Sequence, residues 1–424
     1  MAIGLFTLTS SLHDANEVTK TSTEFITEIE AELGCAFTLQ GSDYSEYGKS
    51  DVDIIYVRTG GTEGIFKSEV PYTRRRKTLL LTSGKSNSLA ASMEILSYLK
   101  LQGREGEIIH GTTEYIAKRI NTIVHIAGAR KLLAGANLGI IGAPSDWLIA
   151  SQARGAVLQS KLGLELIDIP INELIKATEA LKENKSKCAV IDAFKGKFYG
   201  LNPTDDTDIA DSMDCSVRIY EALKAFVRKY KLKGLTIRCF DLLTALEGTG
   251  CLALAMLNTE GIIGCCEGDV PAMLTMLIAN ALTGQSSFQA NPSRINPETQ
   301  EILFAHCTVP LNMVSDYTFD THFESGIGVA IKGHIPEGPV TVFKVSGDLG
   351  RYFVVEGMLT ENTDKKNLCR TQVVLKLNEE CVTSPLSKNV KKPSDYFLTD
   401  PIGNHHIIMR GHHRSLIEAF FREL

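Results

Sequence analysis

Residues 264–310 read GCCEGDVPAMLTMLIANALTGQSSFQANPSRINPETQEILFAHCTVP. The apolar pair Ile262-Ile263 runs into Cys265-Cys266-Glu267-Gly268-Asp269, so a buried strand ends in a glycine turn that carries two carboxylates. In open α/β sheets, ligands gather at that end of the strands. Residues 271–282 follow as a helix, with a proline in the first turn and Thr283-Gly284 closing it. A polar loop then reaches Asn291, and a short second strand, 302–305, ends in His306-Cys307. Carboxylates, an amide and an imidazole thus stand at successive element ends. This is the pattern of a site as well as of a core.

The chain around this block has 424 residues, suited to two or three domains. Hydrophobic residues make up 44% and charged residues 22%, the profile of a globular protein in water. A formal net charge of −6 argues against nucleic acid or an anionic membrane as partner. No apolar run approaches the length of a membrane span, and the first residues lack a basic flank. Ten cysteines without repeating spacing, two of them adjacent at 265–266, suit free thiols better than a disulfide framework. The expected setting is a reducing cytoplasm.

The N-terminal third reads as βα layers, with strands at 3–8, 52–57 and 78–82 and helices at 18–33 and 88–99. The strand at 52–57 leads into Arg58-Thr59-Gly60-Gly61-Thr62-Glu63, a glycine-rich loop that on its own reads as a tight turn, although such a backbone can also approach a ligand. Gly84-Lys85-Ser86 is no phosphate loop, because the glycine required five positions earlier is Leu79. The run Arg74-Arg75-Arg76-Lys77 reads as a solvated edge. A connection at 128–135 introduces a second sheet, with strands at 138–141, 164–169, 188–191 and 235–239 and a long helix at 214–230. Trp147, the sole tryptophan, stands beside Asp146 at a strand-to-helix turn. There it is either a core residue or an indole face on which a sugar can stack. Asp205-Asp206-Thr207-Asp208 reads as an acidic surface loop. Beyond Pro310, short β runs at 319–332, 340–346, 352–360 and 371–377 suggest an antiparallel barrel or sandwich. His405 and His406 begin a strand near the C-terminus, where alternation leaves one of them facing inward.

In order, Glu267-Gly268-Asp269, Phe288-Gln289-Ala290-Asn291, His306-Cys307 and Gly403-Asn404-His405 resemble the L-fucose isomerase and L-arabinose isomerase superfamily. Thr59-Gly60-Gly61-Thr62-Glu63, Asn87-Ser88-Leu89-Ala90-Ala91 and Gly338-Pro339-Val340-Thr341 look like the same family, so the resemblance covers most of the chain. It implies an α/β fold with two doubly wound parallel-sheet domains, 1–134 and 135–305, and a β-rich barrel-like domain, 306–424. It also implies a homo-oligomer with sites near subunit boundaries, and a small sugar as substrate. The implied reaction is aldose–ketose isomerisation of a pentose or 6-deoxyhexose through an enediolate at a Mn²⁺ or similar divalent site. By resemblance, Glu267 is a metal-binding carboxylate and acid/base, and Asn291, His306 and His405 complete the metal set. Asp269 is the nearest further carboxylate and a second catalytic candidate. Thr62, Glu63, Trp147 and Asn404 are candidates for contact with the sugar.

Residue types and chemistry agree. A divalent ion stabilises an enediolate as a Lewis acid while a carboxylate moves the proton, and oxygen ligands with imidazole suit Mn²⁺. The departure is Asn291, which stands where the family has its second carboxylate. An amide can ligate a metal but cannot serve as a general base. This motivates one rival reading, a diverged sugar-binding relative without isomerase activity. Another is a zinc site made of Cys265, Cys266, Cys307 and His306, although adjacent cysteines fit one tetrahedron poorly.

Overall fold

The computed structural model describes residues 1–72, 77–182, 207–383 and 390–424. The strand expected at 188–191, Arg74–Arg76 of the basic run and the acidic pair Asp205-Asp206 fall outside them. Contacts divide the chain into two units, Met1–Lys131 and Leu132–Leu424.

The first unit holds a five-stranded parallel sheet. In space its order is Thr38–Gly41, Ile3–Leu8, Val52–Val57, Thr78–Leu81, Gly106–Ile109. Val52–Val57, VDIIYV, is buried along its whole length, as a central parallel strand covered on both faces must be. Two strands were not foreseen. Thr38–Gly41 is a four-residue edge with exposed side chains, and Gly106–Ile109 opens on a glycine. The expected linker at 128–135 is largely helix, Thr113–Leu133. Gly128 serves close packing there, since a Cβ on it would lie 2.9 Å from the sulfur of Met1.

The second unit begins with a four-stranded parallel sheet, ordered Glu165–Ile169, Asn137–Ile141, Leu232–Ile237, Ile263–Cys265. The chain direction across the sheet reverses between Asn137–Ile141 and Leu232–Ile237, so the ligand crevice is expected beyond the carboxyl ends of those strands. A closed antiparallel barrel follows. Around it run Phe288–Asn296, Glu301–His306, Thr371–Thr383, Tyr352–Asn362, Gly338–Val345 and His406–Arg410. The barrel therefore starts at Phe288, ahead of the expected domain boundary at 305 and of the change in texture beyond Pro310. The hairpin Phe288–His306 pairs with His406–Arg410 on one side and Thr371–Thr383 on the other. The single run expected at 319–332 is two strands, Asp316–Asp320 and Ala330–His334, which pair apart from the barrel.

Helix Val270–Thr283, VPAMLTMLIANALT, explains its own composition. It is buried nearly all round because it contacts both parallel-sheet strands and barrel strands. Its N-terminus is thereby pinned where sheet and barrel meet. No helix among the described residues is long and apolar enough to cross a membrane.

Candidate functional site

Strand Ile263–Cys265 delivers the chain through Cys266 to Glu267 and Gly268, both left-handed at φ 66° and 71°. Gly268 is obligatory, since a Cβ there would lie 2.5 Å from the carbonyl oxygen of Ala143. The turn is fixed by two backbone bonds: Gly268 N–H donates to Ile237 O at 2.9 Å, and Ser145 N–H donates to Glu267 O at 2.9 Å. A non-glycine residue held at positive φ is uncommon and marks the position of Glu267 as one the fold is built to impose. Its carboxylate is 9% exposed in residue terms and receives the indole N–H of Trp147 on Oε2 at 2.7 Å. Trp147 itself is 51% exposed and packs edge-on against Phe240.

Two imidazoles converge on the other carboxylate oxygen. His306 ends the barrel strand Glu301–His306. Its Nδ1 is 3.1 Å from the Thr308 hydroxyl, and its Nε2 is 3.8 Å from Glu267 Oε1. His405 precedes strand His406–Arg410, with Nε2 3.3 Å from the same oxygen. The Nδ1–H of His405 donates to Asp269 Oδ2 at 2.9 Å. Its Nε2 is buried and has no hydrogen-bond partner among the described residues. One ligand atom from each of Glu267, His306 and His405 lies within 4.8 Å of the others. One carboxylate and two imidazoles, with an orphaned nitrogen facing the carboxylate, fit a divalent cation.

Asp269 stands behind His405 and is fully buried. It caps helix Val270–Thr283, with Oδ1 accepting Ala272 N–H at 2.8 Å, while Oδ2 accepts His405 and faces Lys344 Nζ at 3.7 Å. Burial pushes its carboxyl up, but the Lys344 charge and the His405 bond outweigh that and bring it down to about 2. For Glu267, burial raises and the two histidines lower, and the histidines hold it well below the carboxylate range. Burial would lower His405, yet Asp269 and Glu267 raise it to about 9 in the metal-free protein. His406, by contrast, is lowered to about 3 by burial and the Lys344 charge.

Both histidines of the pair are therefore buried, where alternation had suggested one. They lie on opposite sides of the chain, His405 facing Glu267 and His406 Nε2 lying 3.0 Å from Tyr396 Oη inside the barrel. Asn291 sits in the ladder opposite Ala305, and its amide oxygen accepts Asn404 Nδ2 at 3.1 Å. Asp241, a further carboxylate on the ligand side, is held by Arg238, which also grips Asp146. The cysteines point elsewhere. Cys265 Sγ donates to the Asp269 carbonyl, and Cys266 Sγ meets Cys239 Sγ at 3.1 Å. The metal-capable cluster among the described residues contains no thiol.

Thr62 and Glu63 belong to the first unit, at the start of helix Glu63–Glu69. Thr62 is buried and its hydroxyl donates to Thr59 O at 3.1 Å, while Glu63 is partly exposed. Lys344 escaped the sequence reading. Its signal was a lone charge inside GPVTVFKV, a barrel strand whose apolar residues are otherwise buried.

No family model matches the chain. It is similar to proteins named sulfoquinovose isomerase. That of Clostridium sp. (strain MSTE9) is 30% identical over 232 residues, which is 52% of this chain and 51% of that relative. Those of Priestia megaterium and Alkalicoccus urumqiensis are 24% and 22% identical, covering 54% and 62% of this chain and 52% and 58% of theirs. The chain thus matches these relatives over about half their length. Their name is that of sugar isomerases, in line with the superfamily resemblance of the motifs, though L-fucose and L-arabinose isomerases are not the members named.

Proposed function

We propose that this protein is an aldose–ketose isomerase that uses Mn²⁺ or a similar divalent ion, held by Glu267, His306 and His405. The observation that carries the reading is the convergence of those three ligand atoms within 4.8 Å, with the carboxylate gripped from outside by Trp147. A divalent ion there would supply Lewis-acid stabilisation of enediolate charge.

The chain's own residues do the remaining work. Isomerisation of an aldose moves a proton from C2 to C1 through the enediolate, and another from O2 to O1. Glu267 Oε1 faces the two imidazoles, so Oε2, aimed by the indole N–H, is the oxygen left to carry the carbon-bound proton. Asp269 is not placed as a second base, because both its oxygens are engaged behind His405. It orients the ring and directs Nε2 toward the metal position. We assign Asn291, whose amide oxygen accepts Asn404 Nδ2, to the sugar instead of the metal. Those two amides and the exposed face of Trp147 then bind sugar hydroxyls and C–H surface.

For the substrate we propose a hexose of the sulfoquinovose kind, a 6-deoxy sugar that carries a sulfonate, on the strength of the relatives' name. We further propose a homo-oligomer in which Glu63 of a neighbouring copy approaches the sugar. Glu63 follows the strand Val52–Val57 at the crevice side of its parallel sheet, and Thr62, turned inward, supports the loop. The test is conversion of sulfoquinovose to its ketose by metal-loaded protein. Sugar binding without conversion, across pentoses, 6-deoxyhexoses and sulfoquinovose, would replace this reading with a binding protein in which Asn291 has ended the chemistry.

A further inference from the structure

Lys344 is fully buried in the barrel strand Gly338–Val345, opposite Phe353. Its ammonium has no hydrogen-bond partner among the described residues. The carboxylate facing it is Asp269, with Nζ 3.7 Å from Oδ2, the oxygen that also accepts the His405 Nδ1–H. A buried ammonium is costly unless it balances a charge, and a barrel interior is filled more cheaply by an apolar side chain. Its neighbours are held to match. Val345 N–H donates to Thr275 Oγ1 at 3.1 Å, and Thr275 lies in the helix that Asp269 caps. Strand and cap are thus locked in register.

We propose that Lys344 is a positioning residue for the metal centre. It holds the Asp269 carboxylate in the orientation that aligns the His405 ring, so that Nε2 faces Glu267 and His306. The inference rests on the proposed metal site and deepens it. Lys344 touches neither metal nor sugar; it acts through Asp269 alone.

The experiment is a double-mutant cycle read as Mn²⁺ affinity by calorimetry on the full chain, without substrate. Lys344→Met, which keeps the volume, is expected to weaken Mn²⁺ binding about tenfold or more, the usual scale for removing a ligand's orienting partner. Asp269→Asn is expected to weaken it comparably, and Lys344→Met in the Asp269→Asn background to add little further. A merely structural lysine would lower the melting temperature and leave affinity unchanged, or its effect would persist undiminished without the carboxylate. Either result overturns the proposal while the metal site stands. Should the unmutated protein bind no Mn²⁺, the metal site and the proposal fall together. If Lys344→Met does not fold, the proposal is read from the milder Lys344→Gln in the same cycle.

Discussion

Asp269 and His405 are 136 residues apart in sequence, yet Asp269 Oδ2 accepts the His405 Nδ1–H at 2.9 Å. One residue caps the helix packed between sheet and barrel, and the other opens the last barrel strand. The bond therefore joins the parallel-sheet half of the second unit to its barrel half at the point where Glu267 and His306 also converge. The His405 ring therefore serves both, its Nδ1 joining the two layers and its Nε2 facing Glu267 in the candidate metal cluster.

Asp269→Asn follows directly. The amide can still accept from Ala272, so the cap is weakened by at most about 1 kcal/mol. The charge facing Lys344 and His405 is lost. The expected result is a folded protein with Mn²⁺ affinity lower by about ten- to a hundredfold, measured by titration calorimetry.

Glu267→Gln is expected to abolish isomerisation, with a fall in kcat of at least about a thousandfold, while circular dichroism and melting stay close to the parent. The scale is the loss of proton transfer combined with a weakened metal. A variant that retains near-full turnover would remove Glu267 from the chemistry.

His405 and His406 separate ligand from core. His405→Ala is expected to eliminate Mn²⁺ binding. His406→Leu is expected to lower stability by about 1–3 kcal/mol, because the buried Tyr396 hydroxyl loses the acceptor for its proton, and to leave Mn²⁺ affinity within about twofold. Denaturant melts and metal titrations on the two variants check the contrast.

Glu267, His306 and His405, which the structure brings together, were legible in the sequence, and their surroundings were not. Glu267 and His306 were legible because each follows a short apolar strand run, and His405 because Gly403-Asn404-His405 resembles the superfamily's C-terminal motif. The strand Val52–Val57 was legible to the residue, being apolar but for Asp53 between polar flanks. Asp269 was visible as a carboxylate but not as the partner of His405, because that pairing depends on how the barrel closes onto the helix. Lys344 was hidden for the same reason: its only meaning is a contact with a residue 75 positions away. Four-residue strands such as Gly106–Ile109 offer too few side chains for any period to show.

The pH dependence has two opposed signs. In metal-free protein His405 is raised to about 9 from 6.5, so its contribution to stability is complete below pH 6.5 and is lost as pH climbs through 9. Asp269 is lowered to about 2 from 3.8, so its contribution is complete above about pH 4 and is lost as pH falls toward 2. His406, lowered to about 3, costs stability as pH falls below 6.5, so metal-free protein is expected to melt highest near pH 6.5. Mn²⁺ must displace the His405 proton, so affinity rises by about tenfold per pH unit up to 9. Scanning calorimetry with and without Mn²⁺ reads both trends.

Trp147, the sole tryptophan, gives a direct optical readout because its N–H lies on Glu267 Oε2. Saturable Mn²⁺-dependent change in its emission is expected, with a midpoint that matches calorimetry and vanishes in Glu267→Gln. Emission that ignores the metal would break the link between indole and centre.

The most direct test incubates Mn²⁺-loaded protein with sulfoquinovose in heavy water, removes the metal with a chelator and reads deuterium in the recovered sugars by NMR. Ketose bearing solvent deuterium at C1 is expected, and is lost in Glu267→Gln and after metal removal. If sulfoquinovose and Mn²⁺ both bind, and neither it nor any pentose or 6-deoxyhexose exchanges a carbon-bound proton, Glu267 carries no proton and the isomerase assignment is wrong.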